Sequence, residues 1–476
     1  MASHPFTISF FYGFAFLFLS SPSFIHYSFV TGEISGDFRH VVKLTSLLPA
    51  PMCVSTKDSM ATGTRLKLVH QHGACSPLKQ TKKLNHKQIL TQDQYRVNFI
   101  QNHRRSSTTT IYLNKTQISP ITETKIPAYK GYSFSTSNYI VNISFGTPTH
   151  DFTVVFDTGS DVTWIQCQPC AVHCYHQQEP IFDPTQSSTY SNVSCSAPAC
   201  AELDVSGCSG TTCLYGVLYG DNSTTIGFFM PKTLSLFSSS DILPGFFFGC
   251  GENNTGLFGE TAGILGLGRG PTSLISQSIT KYNGVFSYCL PATTSSAGYL
   301  TFGGEAPANF NCTQMLTNSS MPTFYFLGLQ SISVAGTKLS ISPTVFSNPG
   351  TLIDSGTVIS RLPPAAYSSL RDAFRKQMAK YPMAPAFQLL DTCYDLSSYE
   401  TVDIPTVSLE FTGDVVVDLD LFGIVFVVSL SQVCLAFAGN SDAGDVGIIG
   451  NVQQRKIGVF YDVGNKVIGF GSGACD

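Results

Sequence analysis

The chain has 476 residues, 43% of them hydrophobic and only 12% charged, enough for a large core spread over two or three domains. Forty-one glycines and 36 phenylalanines beside so few charges argue against a helical protein and for a turn-rich β protein. The net charge of −4 hides a split: residues 1–126 carry 14 Lys+Arg against 5 Asp+Glu, net +9, and residues 127–476 carry 13 against 26, net −13.

From Phe6 to Leu19 the chain is almost wholly apolar, and small residues follow. This is the pattern of a secretory signal over residues 1–27, although no Lys or Arg precedes it. A signal anchor or a plastid transit peptide is the competing reading. Residues 28–126 read as a basic pro-segment and linker, with "KQTKKLNHK" and "HRRSSTTT" before a Ser/Thr-rich stretch. It looks like a detachable leader outside any core. One reading lays it on the acidic remainder of the same chain until carboxylates there protonate, with cleavage near residues 115–130. The other makes it a nucleic-acid-binding arm, hence DNA as a partner. Fifteen cysteines and seven N-x-S/T sequons (at Asn114, Asn142, Asn192, Asn222, Asn253, Asn311 and Asn318) point to an oxidising route. The destination is then extracellular, in the apoplast, or vacuolar, with the chloroplast as alternative.

Beyond residue 127 the pattern is β. "NYIVNISFGTP" alternates into a turn, and "GVFSYCL", "GYLTFGG", "FYFLGLQSISVAG" and "KIGVFYDVGNKVIGFG" read as strands and hairpins. "FGIVFVVSL" (422–430) is too short to span a bilayer and reads as a buried strand. Two helices are predicted: "TSLISQSITKY" after Pro271, and "PAAYSSLRDAFRKQMAKY", where Leu370, Phe374 and Met378 recur every fourth residue between Pro363-Pro364 and Pro382.

Two strings repeat. "VFDTGSDVT" around Asp157 matches "LIDSGTVIS" around Asp354, and the two aspartates are 197 residues apart. Each is followed, about 90 to 110 residues later, by two aliphatics and a glycine: Ile264, Leu265, Gly266 and Ile448, Ile449, Gly450. The β half is therefore an internal duplication. A single D-T/S-G would be weak evidence, since it is common as a turn. Two copies with matched flanks and partners are specific. From about Asn138 onward the chain resembles the pepsin-like aspartic proteases. The resemblance implies an all-β, bilobal double-ψ β-barrel acid protease fold with a few short helices. Its lobes would be residues 127–318, with a Cys-rich insertion (167–213) and a flap, and residues 319–476.

The chemistry follows from the pair. Two carboxylates held together cannot both ionise cheaply, so one keeps a proton while the other acts as a base toward a shared water. Asp157 and Asp354 are the catalytic candidates, with Gly159 and Gly356 letting backbone N–H groups approach them. By resemblance, Thr158 and Ser355 cross-brace the two loops, and Ser160 and Thr357 hydrogen-bond the outer carboxylate oxygens. Asp161 has no counterpart at Val358 and reads as structural. In "YGVLYGDNSTTIGFF", Tyr219 stands at the flap-tyrosine position, and by resemblance Trp164 donates its indole N–H to it. Asn222, a sequon head at the flap tip, is a departure from the family glycine.

Seven cysteines crowd residues 167–213. Read alone, C-x-x-C-x-x-x-C with His173 and His176 nearby could be zinc ligands or a disulfide framework. The insertion resembles that of nepenthesin-type plant aspartic proteases, whose pairing implies Cys167–Cys170, Cys174–Cys250, Cys195–Cys213, Cys200–Cys208, Cys289–Cys475 and Cys393–Cys434. Cys312 is then left over, and Cys53 and Cys75 should leave with the leader. "LKLVHQHGACSPL" and "FGCGENNTGLFG" resemble a plant subgroup that includes a chloroplast nucleoid DNA-binding aspartic protease. The expectation is an acid-activated aspartic endopeptidase without cofactor or metal. It would be monomeric, with no transmembrane anchor in the mature chain, protein or peptide substrates, and its own pro-segment as partner. The rivals are a plastid nucleoid protease that binds DNA and a catalytically weak binding protein on the protease fold.

Overall fold

The structure is a computed structural model. It describes residues 34–35, 38–54, 64–78, 85–106 and 139–475, apart from 189–190, 220–222, 237–240, 257 and 348–349. The apolar N-terminal stretch, the expected cleavage region and Asn222 lie outside the described residues.

The repeat seen in the sequence is a repeat of pairing. In the first half, His150–Asp157 runs parallel to Gly263–Gly266, with Asp157 opposite Gly266. Gly263–Gly266 is antiparallel to Trp164–Gln166, which in turn runs parallel to the long strand Ile242–Thr255. In the second half, Thr351–Ile353 runs parallel to Gly447–Ile449, which is antiparallel to Ser360–Leu362, itself parallel to Phe437–Gly439. Each aspartate thus ends or follows a strand whose neighbour carries the aliphatic-aliphatic-glycine string. The glycines are sterically required: a Cβ on Gly266 would lie 2.3 Å from the Asp161 carbonyl oxygen, and one on Gly450 would lie 2.6 Å from that of Val358.

The first-half strands belong to a 14-stranded sheet that also holds the C-terminal hairpin Ile457–Asp462 and Val467–Ser472. The second-half copy forms a five-stranded sheet, with two four-stranded sheets beside it. A hydrophobic core runs from Val154 and Phe156 through Tyr288 and Tyr325 to Val459 and Phe470. The predicted helix after Pro363 is present as Pro364–Gln377, with Leu370 and Phe374 buried. The one after Pro271 is two short turns, Leu274–Gln277 and Ile279–Tyr282. The stretch 422–430 begins as a helical turn, Leu421–Ile424, because the Asp420 side chain accepts from the Phe422 N–H, and only then extends as Val425–Ser429.

The leader is not detached. Thr64–His70 lies in the large sheet, paired along its length with Ala297–Phe302 and at one end with Tyr139–Phe145. Arg39–Lys43 pairs with Thr401–Pro405. Val42, Leu44, Leu47, Leu66 and Leu68 sit in the main core. Average composition hides this because Leu66 and Leu68 alternate with Arg65 and Lys67, so the basic side chains face away from the core. The helix His86–Ser106 was also not anticipated. Its buried face mixes Ile89, Leu90, Val97 and Ile100 with buried Asp93 and Gln101, which breaks the apolar stripe that would announce it.

Leu68 is fully buried in a leader strand. Leu68→Ala in the full chain is expected to cost about 2–5 kcal/mol, read as a lowered thermal midpoint. An unchanged midpoint would mean that the leader strand is not part of the core.

Candidate functional site

Each aspartate sits at the mouth of a strand, in a turn that folds back on its own carboxylate. The Gly159 N–H donates to Asp157 Oδ1 at 3.1 Å, and the Gly356 N–H to Asp354 Oδ1 at 3.0 Å. The two turns hold each other. Thr158 N–H donates to Ser355 Oγ at 3.0 Å, Ser355 N–H donates to Thr158 Oγ1 at 2.9 Å, and the two hydroxyls are 3.2 Å apart. These residues are almost wholly buried, and both carboxylates are fully so. A Cβ on Gly159 would fall 2.6 Å from Asp354 Oδ1, and one on Gly356 2.5 Å from Asp157 Oδ1, so each glycine is the space in which the opposite carboxylate sits.

The outer oxygens are treated unequally. Thr357 Oγ1 donates to Asp354 Oδ2 at 2.6 Å. Ser160 Oγ, expected to do the same for Asp157, is buried and has no hydrogen-bond partner among the described residues. Asp157 Oδ2 instead faces Arg96 Nη1 at 3.4 Å. Asp161 accepts from the Gly270 N–H and from Thr323 Oγ1, each at 2.8 Å, and burial pushes its carboxyl up to about 6. It ties the turn 268–270 to Thr323.

Arg96, on the leader helix, spans both aspartates. Its Nη2 lies 2.8 Å from Asp157 Oδ1 and 2.8 Å from Asp354 Oδ1, and its Nε lies 2.8 Å from Asp354 Oδ2. Burial alone would raise the Asp354 carboxyl; Arg96, Thr357 and the Gly356 N–H outweigh it and hold it below its ordinary value. Burial lowers the Arg96 guanidinium, and the two carboxylates more than reverse that.

One turn earlier on the same helix, Asp93 accepts from the Val358 N–H at 2.6 Å and the Ile359 N–H at 3.2 Å, and pairs with Arg361 Nη2 at 2.9 Å. Ile89 and Leu90 pack against Val358 and Ile359, and Val97 and Ile100 against Phe324, Leu352 and Ile448. Sequence reasoning missed Arg96, Asp93 and Arg361. The available signal was an aspartate three residues before an arginine inside an otherwise basic stretch.

Over the site, the hairpin Thr212–Leu218 and Thr224–Ser235 brings Tyr219 to Trp164, whose indole Nε1 donates to the phenol oxygen at 2.7 Å. Phe258 packs edge-on against both rings. The disulfides near the hairpin differ from those the resemblance implied. Cys167 pairs with Cys250, because Trp164–Gln166 and Ile242–Thr255 run side by side and bring their Cα atoms within 5.3 Å. Cys170 then bonds Cys174 within one loop. Cys208 and Cys213 face each other across the Ser206–Ser209 hairpin. Buried Cys213 takes buried Cys200, and exposed Cys208 takes half-buried Cys195, so Cys195–Cys213 and Cys200–Cys208 do not form. With their sulfurs spent this way, Cys167, Cys170 and Cys174 offer no thiolates to a zinc ion beside His173 and His176. Cys289–Cys475 and Cys393–Cys434 are bridged, Cys53 bonds Cys75 within the leader, and Cys312 is free and exposed.

Comparison with known proteins agrees with this architecture. Residues 139–304 match a family described as xylanase inhibitor N-terminal, and residues 324–472 one described as xylanase inhibitor C-terminal. An aspartyl protease family protein of Arabidopsis thaliana is 45% identical over 92% of this chain and 93% of its own length. Aspartyl protease AED1 of the same plant is 43% identical over 92% of each. The aspartic proteinase nepenthesin-1 of Nepenthes gracilis is 39% identical over 71% of this chain and 78% of its own. Among solved structures, edgp superposes with a TM-score of 0.60 at 20% identity, covering 72% of this chain and 93% of that one, a likeness of fold.

Thr158→Ala removes a buried hydroxyl that accepts from Ser355 N–H and meets Ser355 Oγ. It is expected to cost about 1–3 kcal/mol in chemical unfolding. A cost near zero would mean that the two turns are held by something other than this brace.

Proposed function

We propose that this chain, which belongs to the pepsin-like plant aspartyl proteases, is an endopeptidase made as a zymogen, with Asp157 and Asp354 as its catalytic pair and Arg96 as the lock. The observation that carries this reading is the Arg96 guanidinium bound to both carboxylates. A cation at that position occupies the place where a water would have to bind.

With the lock withdrawn, the two carboxylates share a proton because two adjacent anions are costly. The ionised partner draws a proton from the water as its oxygen attacks the peptide carbonyl carbon. The protonated partner gives its proton to the carbonyl oxygen. The resulting diol collapses with cleavage of the C–N bond, and the departing nitrogen takes a proton from the pair. The Thr158–Ser355 brace holds the two carboxylates in place, and Tyr219 on its hairpin is the group positioned to close over a bound peptide. The order of segments would be signal over 1–27, leader and linker over 28–126, and the two lobes over 127–318 and 319–476. Cys53–Cys75 lies wholly in the leader, so a backbone cut near residues 115–130 frees it. Seven disulfides are compatible with a secretory or vacuolar destination.

Acid opens the lock through two groups of different range. Asp354 has a lowered carboxyl in the docked state, so its stabilisation is complete above the ordinary 3.8 and is lost as pH falls through the lowered value. The leader also carries His40, His70 and His86, each lowered chiefly by burial, with His72 and Arg455 adding to the effect at His70. A histidine lowered in the docked state leaves docking intact above its ordinary 6.5 and weakens it as pH falls below that value, because only the released leader takes up the proton. The histidines therefore act in mild acid and the carboxylate in stronger acid.

Acidifying the purified full chain should produce a shorter species that cleaves protein and is blocked by pepstatin-type inhibitors. Asp157→Asn should lower kcat by about 10²–10⁴-fold. Retained activity in that variant would overturn the mechanism, and a processed chain that cleaves no protein would favour a binding role on the same fold. Arg96→Ala should move the conversion midpoint to higher pH and His86→Phe to lower pH, read by gel across a pH series. Midpoints that stay fixed in both would remove the leader helix from control of activation.

A further inference from the structure

Resting on the protease reading above, we infer that Arg361 and the Val358 and Ile359 N–H groups form a pocket for an acidic side chain, so that the opened enzyme selects peptides carrying Asp or Glu near the cleaved bond. The pocket is occupied in this structure by a carboxylate from the chain itself. Asp93 receives two successive backbone N–H groups through its two oxygens, at 2.6 and 3.2 Å, and a guanidinium nitrogen at 2.9 Å. Few arrangements other than a carboxylate satisfy a fork of this kind.

The pocket belongs to the body, not to the leader. Val358 and Ile359 follow Asp354 by four and five residues, and Arg361 lies on the strand Ser360–Leu362 within the five-stranded sheet. The guanidinium is fixed from the body side as well, since Nη1 donates to the Ile359 carbonyl at 2.6 Å. Its other contacts, Asp93 and Gln94 Oε1 at 3.3 Å, come from the leader helix. Among the described residues, Asp93 is the one carboxylate paired with Arg361. When the leader departs, a buried cation and two N–H groups lose their anion together. A buried charge without a partner is strongly unfavourable, so a peptide that returns a carboxylate there gains a contact that an amide cannot supply.

Position along the substrate follows from the helix. Asp93 lies three residues from Arg96, whose guanidinium marks the reacting position. Three helical residues rise about 4.5 Å, and an extended peptide advances about 3.3 Å per residue. The acidic residue of the substrate should therefore stand one or two residues from the scissile bond.

The test uses the full chain after acid conversion and paired peptides, Asp against Asn and Glu against Gln, scanned through each position. Wild type should favour the acid over the amide by about 10- to 100-fold in kcat/KM at one position within two residues of the cut. Arg361→Gln should bring that ratio to about one, and Arg361→Lys, which keeps the charge without the fork, should leave an intermediate ratio. The ratio is internal to each variant, so a general loss of activity does not move it. Should Arg361→Gln fail to fold, the wild-type scan and Arg361→Lys decide. Cleavage of peptides by wild type with no acid preference, or a preference that survives Arg361→Gln, overturns the pocket and leaves the protease standing. A converted chain that cleaves no peptide at all overturns the protease reading and this one with it.

Discussion

Two carboxylates buried side by side need either a proton or a cation between them. In this chain the cation is Arg96, and the geometry around it is set by that demand. The Thr158–Ser355 brace and the returning N–H groups of Gly159 and Gly356 fix the anions so closely that neither can turn to another counter-charge. A guanidinium fits because its nitrogens lie in one plane and can reach three carboxylate oxygens at 2.8 Å at once. Withdrawing it leaves two anions in contact, and the least costly response is uptake of a proton. On the zymogen reading proposed above, removal of the leader and protonation of the pair would be linked as one equilibrium, and the proton that permits opening would be the one with which hydrolysis begins.

The second constraint is the repeated backbone crossing beneath the pair. In both halves the strand carrying the aliphatic-aliphatic-glycine string passes close over the turn that follows the aspartate. A side chain at Gly266 or Gly450 would collide with the backbone there. The aspartates are thus delivered by a local motif whose partner lies far along the sequence, and this is why the motif had to appear twice with its partner before it meant anything. The leader joins the same framework: Thr64–His70 pairs in the sheet beside Tyr139–Phe145, and the leader helix packs Ile89 and Leu90 against Val358 and Ile359, and Val97 and Ile100 against Phe324, Leu352 and Ile448. Docking is therefore shared between apolar burial and ion pairs.

What the sequence made legible follows from range. The strings around Asp157 and Asp354, the Tyr219 hairpin and the helix after Pro363 are local patterns with a strict period or spacing, and each stands where it was read. The disulfides of the insertion were not legible. Four cysteines within 19 residues (195, 200, 208 and 213) can pair in several ways, and the choice rests on which sulfurs face inward, a property of the assembled hairpin. Ser160 and Thr357 occupy equivalent positions in the repeat, yet only Thr357 bonds its aspartate, on an oxygen that Arg96 also reaches, and nothing in the structure explains the difference. The leader helix was hidden for the reverse reason. Its most important contacts are polar residues on an inward face, and an apolar periodicity does not register them.

Net charge was a poor guide to how the leader binds, although its sign is right. The leader carries an excess of nine positive charges and the remainder an excess of thirteen negative ones. Yet the buried ion pairs of the leader are one arginine against two aspartates and one aspartate against an arginine, so one of these three ion pairs runs against the overall polarity. That inverted pair also works against release. Burial raises the Asp93 carboxyl beyond what Arg361 and the two N–H groups recover, so docking of Asp93 is favoured as pH falls, opposite in sign to Asp354. The two carboxylate contacts therefore respond to acid with opposite signs. On the zymogen reading, the buried histidines add a dependence of the same sign as that of Asp354, setting in below their ordinary 6.5. On that reading acid sensitivity would lie in the strands and the helix start, where His40, His70 and His86 sit, as well as at Asp354, while Arg96 at the helix centre would supply the inhibition.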